Sequence, residues 1–210
     1  MVAAPRTIDP QARTPLAFPG MRIGLLGGSF NPAHEAHRHI TLTALKRLQL
    51  DQVWWLVTPG NPLKEQTGPG IEERAASAAA MARHPKIEVT DFEKGHRSAY
   101  TVDTIRYLKR RYPETRFVWL MGADNMADMH RWKDWRALFQ MVPVAVFDRP
   151  GFRMKARAGK AAQFFARDFV DSGDAAGLAL MHPPAWTIVT LPLSSLSSTE
   201  IRQNGRPDAY

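Results

Sequence analysis

The 210-residue chain is 44% apolar, enough for one globular domain with a substantial core. It contains no cysteine, which excludes disulfides, thiolate metal sites and cysteine nucleophiles, and no stretch approaches the ~20 apolar residues of a membrane span. A formal net charge of +8 is scattered along the chain, apart from KRR at 109–111 and FRMKARAGK at 152–160, and no nucleic-acid-binding motif accompanies it; the balance suits small anionic substrates rather than nucleic acid or a membrane surface.

Residues 1–20 are broken by prolines and hold no continuous apolar run. They read as a flexible tail ahead of a single domain at 21–210, without a secretory signal, and the expected location is cytoplasmic. MRIGLLGG (21–28) is a buried strand leaving its sheet in a tight glycine turn. A helix is expected from Ala33, with Leu42, Leu45 and Leu48 on one face and Asp51 following. QVWWLVTPG (52–60) reads as a strand closed by Pro-Gly, and NPLKEQTGPG as a loop. The alanine-rich segment 71–84 predicts a helix ending before Pro85, 86–93 a strand, and 101–112 a helix with Val102, Ile105 and Leu108 inward. RFVWLMGADN (116–125) is a strand ending in Gly-Ala-Asp, 134–139 a short helix, and 143–151 a strand and turn. Segment 152–183 shows little periodicity; 185–193 is the last strand. In 197–205, Ser197 and Glu200 have capping-box spacing and Gly205 stands at the exit of a short helix. Strands alternating with helices predict a doubly wound parallel sheet with ligands at the carboxyl ends of its strands.

The run GGSFNPAHEAHRHI (27–40) would lie at that edge. Gly27 and Gly28 allow close backbone approach, and Ser29 and Asn31 offer hydrogen bonds. Pro32 suits a first helical turn. His34 and His37 share a helix face beside an N-terminus that favours an anion. The arrangement points to phosphate; a two-histidine metal site and a purely structural turn are the other readings, and His39 reads as a surface residue. The run is neither a Walker A loop nor a GxGxxG fingerprint.

GGSFNPAHEAH resembles the GG[ST]FDPxHxGH signature of the nucleotidyltransferases, and LSSTEIR (196–202) resembles their second signature, ISSTxIR. TPGNPLKE, Arg74, SAYTVDT, WLMGADN, RWKDW and DRPG extend the likeness over about residues 21–205, to the bacterial nicotinate-nucleotide adenylyltransferases. Asn31 replaces the usual aspartate, which argues against a carboxylate role there, and Ala36 replaces a glycine.

The resemblance implies a Rossmann-like fold and adenylyl transfer from ATP to nicotinate mononucleotide, giving nicotinate adenine dinucleotide and pyrophosphate. By it, His34, His37 and Arg202 act at the reacting phosphates. Gly28, Ser29, Phe30, Gly122, Asp124, Ser197, Ser198 and Thr199 complete the ATP site, with Asp124 against the ribose; by its position alone Asp124 could equally be a helix N-cap. Asn31, Lys64, Thr101, Trp132 and Arg149 fall to the acceptor nucleotide, where an indole can stack on the pyridine ring. Trp132 could also be a core or lid aromatic, and Lys133 stands beside it. Mg²⁺ is expected with ATP, without protein ligands of its own. Phosphopantetheine and nicotinamide mononucleotide are the rival acceptors; a non-catalytic nucleotide-binding regulator and a basic nucleic-acid-binding module are the rivals outside the reaction class. Oligomeric state is not legible.

Overall fold

The computed structural model describes residues 14–59, 69–95, 100–148 and 153–191. Six strands, β1 (Arg22–Gly28), β2 (Gln52–Val57), β3 (Ile87–Thr90), β4 (Arg116–Gly122), β5 (Val144–Phe147) and β6 (Trp186–Val189), form one sheet in the order β3-β2-β1-β4-β5-β6. Every pairing is parallel. The helices are α1 (Glu35–Arg47), α2 (Ile71–Ala82), α3 (Thr101–Arg111), α4 (Ala123–Asp128), α5 (Trp135–Met141), α6 (Arg153–Ala158) and α7 (Lys160–Phe164). This is the doubly wound Rossmann-like arrangement that the alternation predicts. No helix among the described residues is long and apolar enough to cross a membrane.

The strands read as unbroken apolar runs because the sheet is covered on both sides. Side-chain alternation then sends neighbours to opposite cores. Ile23, Leu25, Trp54, Leu56, Trp119 and Met121 face one core with Ile105 and Leu108 of α3, Met126 of α4 and Phe139 of α5. Leu26, Val53, Trp55, Val57 and Leu120 face the other with Ile40 and Ala44 of α1 and Ala78 and Ala82 of α2. Trp54 and Trp55 are both fully buried, so two adjacent indoles anchor the two sides of the sheet. Each contributes roughly 4–6 kcal/mol of apolar burial before entropy is counted.

Several elements differ from the pattern in the sequence. Helix α1 starts at Glu35 and buries Ala36, Ile40, Thr41 and Ala44, leaving Leu45 half-buried, because small residues let the helix lie close to the sheet. Strand β3 stops at Thr90: Phe92 N–H donates to Thr90 Oγ1 (3.2 Å), Lys94 N–H donates to Asp91 O (2.7 Å), and a 3-10 turn over Phe92–Gly95 follows. Segment 153–180 holds α6, α7 and two 3-10 turns, which place Ala156, Ala162 and Phe165 in one core and Leu178 in the other. These pieces are too short for periodicity to show. The described part of the predicted tail is tied down: Tyr112 hydroxyl donates to Pro15 O (2.8 Å), and Gly20 N–H donates to Glu114 O (3.0 Å). The predicted helix 197–205 lies outside the described residues.

Gly27 is required by close approach. A Cβ there would lie 2.6 Å from Trp119 Cη2 on the neighbouring strand. Trp119 is 3% exposed and cannot swing aside without opening the core. Gly27→Ala is expected to destabilise the fold by about 1–3 kcal/mol, seen as a lower midpoint in urea; an unchanged midpoint would contradict this contact.

Candidate functional site

The strand order reverses between β1 and β4, which pair side by side (Leu26 opposite Leu120). In parallel sheets the crevice outside the carboxyl ends at such a switch point receives the ligand. The turn after β1 and the turn after β4 both open there. The first carries Gly28, Ser29, Phe30, Asn31 and His34. The second carries Gly122, which caps α4, and Asp124 in its first turn. Asp124 is therefore inside the helix and is not its N-cap.

The turn after β1 is held by rings. Phe30 takes a left-handed backbone (φ 45°), unusual for a residue with a bulky side chain. Its ring stacks on Trp55 (5.0 Å, 12°) and lies 4.8 Å from the His37 ring. Phe30 and His34 are each 1% exposed. The His34 and His37 rings are 3.9 Å apart. His34 is the N-cap of α1, and its N–H donates to His37 Nδ1 (3.3 Å), the side chain at N3 reaching back over the helix start. With Nδ1 accepting, the neutral His37 ring carries its proton on Nε2 and presents a donor there. Below the pair, Trp55 Nε1–H donates to Thr41 Oγ1 (2.8 Å), and the Thr41 hydroxyl donates to His37 O (2.8 Å). This buried relay bolts the first turn of α1 to β2. Nothing in the sequence marked it, since neither Thr41 nor Trp55 belongs to a motif.

Arg74 of α2 reaches the same turn. It is 7% exposed. Its guanidinium donates to Ser29 O (2.5 Å), Thr58 O (2.9 Å), Pro59 O (3.4 Å) and Pro69 O (3.2 Å). Burial holds its pKa below the ordinary arginine value.

A second group of residues lies where α3 starts. Thr101 is the first residue of α3, with Tyr100 as its N-cap. Lys133 Nζ is 4.3 Å above the Tyr100 ring and 3.9 Å from Asp103 Oδ2, which joins the start of α3 to the turn that follows α4. Trp132, beside it, is half-buried and meets Trp119 edge-on (6.4 Å, 80°). It packs against the core with one side, so the core-aromatic reading holds and leaves part of the indole accessible. Glu93, in the turn after β3, is 4% exposed and accepts from Thr104 Oγ1 (2.5 Å), one helical turn beyond Thr101. Burial pushes its carboxyl up to about 7, against the Thr104 hydrogen bond.

The structure thus brings Gly28, Ser29, Phe30, Asn31, His34 and His37 together in one turn, with Gly122 and Asp124 at the end of the adjacent strand. Lys133, beside Trp132, reaches Tyr100 and Asp103, the residues on either side of Thr101 where it opens α3. His39, expected at the surface, is half-buried in α1, with Nε2 enclosed. Lys64, Arg149, Ser197, Ser198, Thr199 and Arg202 lie outside the described residues. Among the described residues, no three His, Asp or Glu side chains gather as a metal site.

The chain is similar to known proteins over most of its length. A cytidylyltransferase-like family model matches residues 25–204. A probable nicotinate-nucleotide adenylyltransferase of Methylorubrum extorquens (strain PA1) is 53% identical over 184 residues, covering 87% of this chain and 99% of that protein. One from Ruegeria sp. (strain TM1040) is 48% identical, covering 88% and 98%. Among solved structures, Plasmodium falciparum nicotinic acid mononucleotide adenylyltransferase complexed with NaAD superposes with a TM-score of 0.65 at 19% identity, covering 87% of this chain and 83% of that one. At that identity the superposition shows the shared fold.

Glu93 makes a pH prediction. Its value of about 7 in the folded protein exceeds the ordinary 4.5, so the native state holds the proton more tightly than the unfolded chain. The stability it contributes is present at pH 4.5 and below and is lost as pH rises through 7. Glu93→Gln keeps an oxygen for Thr104 and removes the titration. Relative to the parent, the variant is expected to gain up to about 3 kcal/mol between pH 4.5 and 8. Urea unfolding across that range measures it, and parallel pH profiles for the two proteins would contradict it.

Proposed function

The chain belongs to the cytidylyltransferase-like family, and we propose that within it the chain transfers the adenylyl group of ATP to nicotinate mononucleotide, releasing pyrophosphate and forming nicotinate adenine dinucleotide, a step of NAD biosynthesis. The observation that carries this reading is the His34–His37 pair at the head of α1, at the sheet's switch point, in a chain about half identical to relatives of that name along nearly their whole length.

The chemistry asks for position and charge. The acceptor's phosphomonoester has a second pKa of about 6, so near neutral pH it is already a dianion and needs no general base. One of its oxygens attacks the α-phosphorus, the bond to the bridging oxygen of the β-phosphate breaks, and pyrophosphate leaves with that electron pair. Two polyanions must be brought together, and the charge developing on the α-phosphate and leaving group must be met by donors already in place.

His37 Nε2–H and the first N–H groups of α1 are such donors, and His34 and the Gly28–Phe30 turn flank them. Arg202, with Ser197, Ser198 and Thr199, is assigned to the β- and γ-phosphates, where a guanidinium fork matches phosphate oxygens. Gly122 and Asp124 take the adenosine ribose. Thr101, Trp132 and Asn31 receive the acceptor, with Lys64 and Arg149 toward its phosphate. Mg²⁺ arrives as the complex with ATP. It takes oxygen ligands and keeps waters, whereas the turn offers imidazoles and N–H donors, a set suited to the triphosphate.

Two experiments test the reading. Mass spectrometry of separate reactions with ATP, Mg²⁺ and nicotinate mononucleotide, nicotinamide mononucleotide or phosphopantetheine is expected to show product formed fastest from the nicotinate acceptor; no product from any acceptor would overturn it. His37→Ala is expected to lower turnover at least ~100-fold while circular dichroism shows the fold intact, and near-normal turnover would remove His37 from the reacting centre.

A further inference from the structure

We propose that Arg74 is a positioning residue for ATP: by holding the Ser29 carbonyl, it aims the Phe30 N–H at the nucleotide's phosphates. The proposal rests on the reading of the turn after β1 as the triphosphate site.

Arg74 is a buried cation that forms no ion pair among the described residues. Its partners are four main-chain carbonyls on the turn after β1, the turn after β2 and the entry to α2. Removing a guanidinium from water without a carboxylate is costly, and arginine keeps its charge where lysine would give it up. A helix requiring only stability would place an apolar side chain there. Instead, the inward face of α2 is Arg74, Ala78 and Ala82, so the two residues that follow it on that face are small.

The consequence lies in one peptide plane. Across a trans peptide the C=O and N–H point in opposite directions. Fixing Ser29 O on Arg74 therefore turns the Phe30 N–H away from α2. The other end of that peptide is also fixed, because the Phe30 ring stacks on Trp55 and packs against His37. The left-handed backbone at Phe30 costs about 1–2 kcal/mol, and with the Ser29 carbonyl released the peptide can rotate toward a more ordinary conformation. Arg74 thus keeps a strained donor in place before the ligand arrives, as preorganised electrostatic sites require. The same guanidinium leaves a positive charge behind the turn.

Calorimetric binding of Mg²⁺-ATP and, separately, of nicotinate mononucleotide to the full chain and to R74M and R74K, with melting temperatures, tests this. R74M is expected to weaken ATP binding tenfold or more and the acceptor's less than threefold. R74K, which keeps an amine donor but neither the fork nor a secure charge at this buried position, is expected to recover part of the loss. ATP binding within twofold of the parent in R74M, or an equal weakening of both ligands, would overturn the proposal. Should R74M fail to fold, R74K carries the test, with at least a threefold loss for ATP alone expected and none contradicting. Binding is read without turnover, so a parent protein that binds ATP yet makes no product defeats the proposed reaction while this comparison still decides the role of Arg74. A parent that does not bind ATP defeats both.

Discussion

The turn from β1 into α1 has to leave a sheet buried on both faces and open a helix within a few residues, and its shape is held by aromatic rings stacked against the second strand. Phe30 rests on Trp55, the His37 ring rests on Phe30, and Trp55 reaches through Thr41 to the carbonyl of His37. Because Trp55 sits in a strand buried from Val53 to Val57, the turn inherits the rigidity of the core. The stack fixes the Phe30 side chain, and the hydrogen bond from Arg74 to the Ser29 carbonyl fixes the peptide before it. Gly27 serves the same turn from the opposite side, since any side chain there would displace Trp119.

A rigid turn suits a reaction in which neither reactant needs a proton removed. If two polyanions must meet, the protein's contribution is a set of donors that do not reorganise. On the proposed reading, the head of α1, the ring of His37 and the charge of Arg74 behind the turn are that set, and their contacts hold them in fixed positions. The site around Thr101, Trp132 and Lys133 is built differently. It depends on a cation lying over Tyr100 and beside Asp103 at an exposed surface, where ion pairs contribute little. The turn after β1 is thus anchored in the core, and the contact between the start of α3 and the turn after α4 is held more loosely.

The alternation of apolar strands with helices was legible in the sequence because both faces of the sheet are covered and each strand reads as one apolar run. The turn after β1 was legible because its glycines and paired histidines each answer a separate local need; Pro32, expected in the first helical turn, instead lies in the turn ahead of the His34 N-cap. Other features were hidden for physical reasons. Which of Trp54 and Trp55 lies under the site depends on strand register, which composition does not carry. Glu93 looked like the end of a strand, and only the turn at Phe92–Gly95 brings it inside. Leu42, Leu45 and Leu48 recur on one face of α1, yet Leu42 and Leu45 are only half-buried while Ala44 is fully buried. Asp124 has the residue type of an N-cap, while Gly122 takes that position. Segment 153–180 is built from pieces shorter than the windows over which periodicity can be recognised.

The most direct measurement of the central claim is a crystal structure of the chain with a non-hydrolysable ATP analogue and Mg²⁺. The account predicts triphosphate density over the head of α1, within hydrogen-bonding reach of His37 Nε2 and the Phe30 N–H, with the Phe30–Trp55 stack unchanged from the free protein. Phosphates bound away from this turn, or a turn that unstacks to receive them, would contradict it.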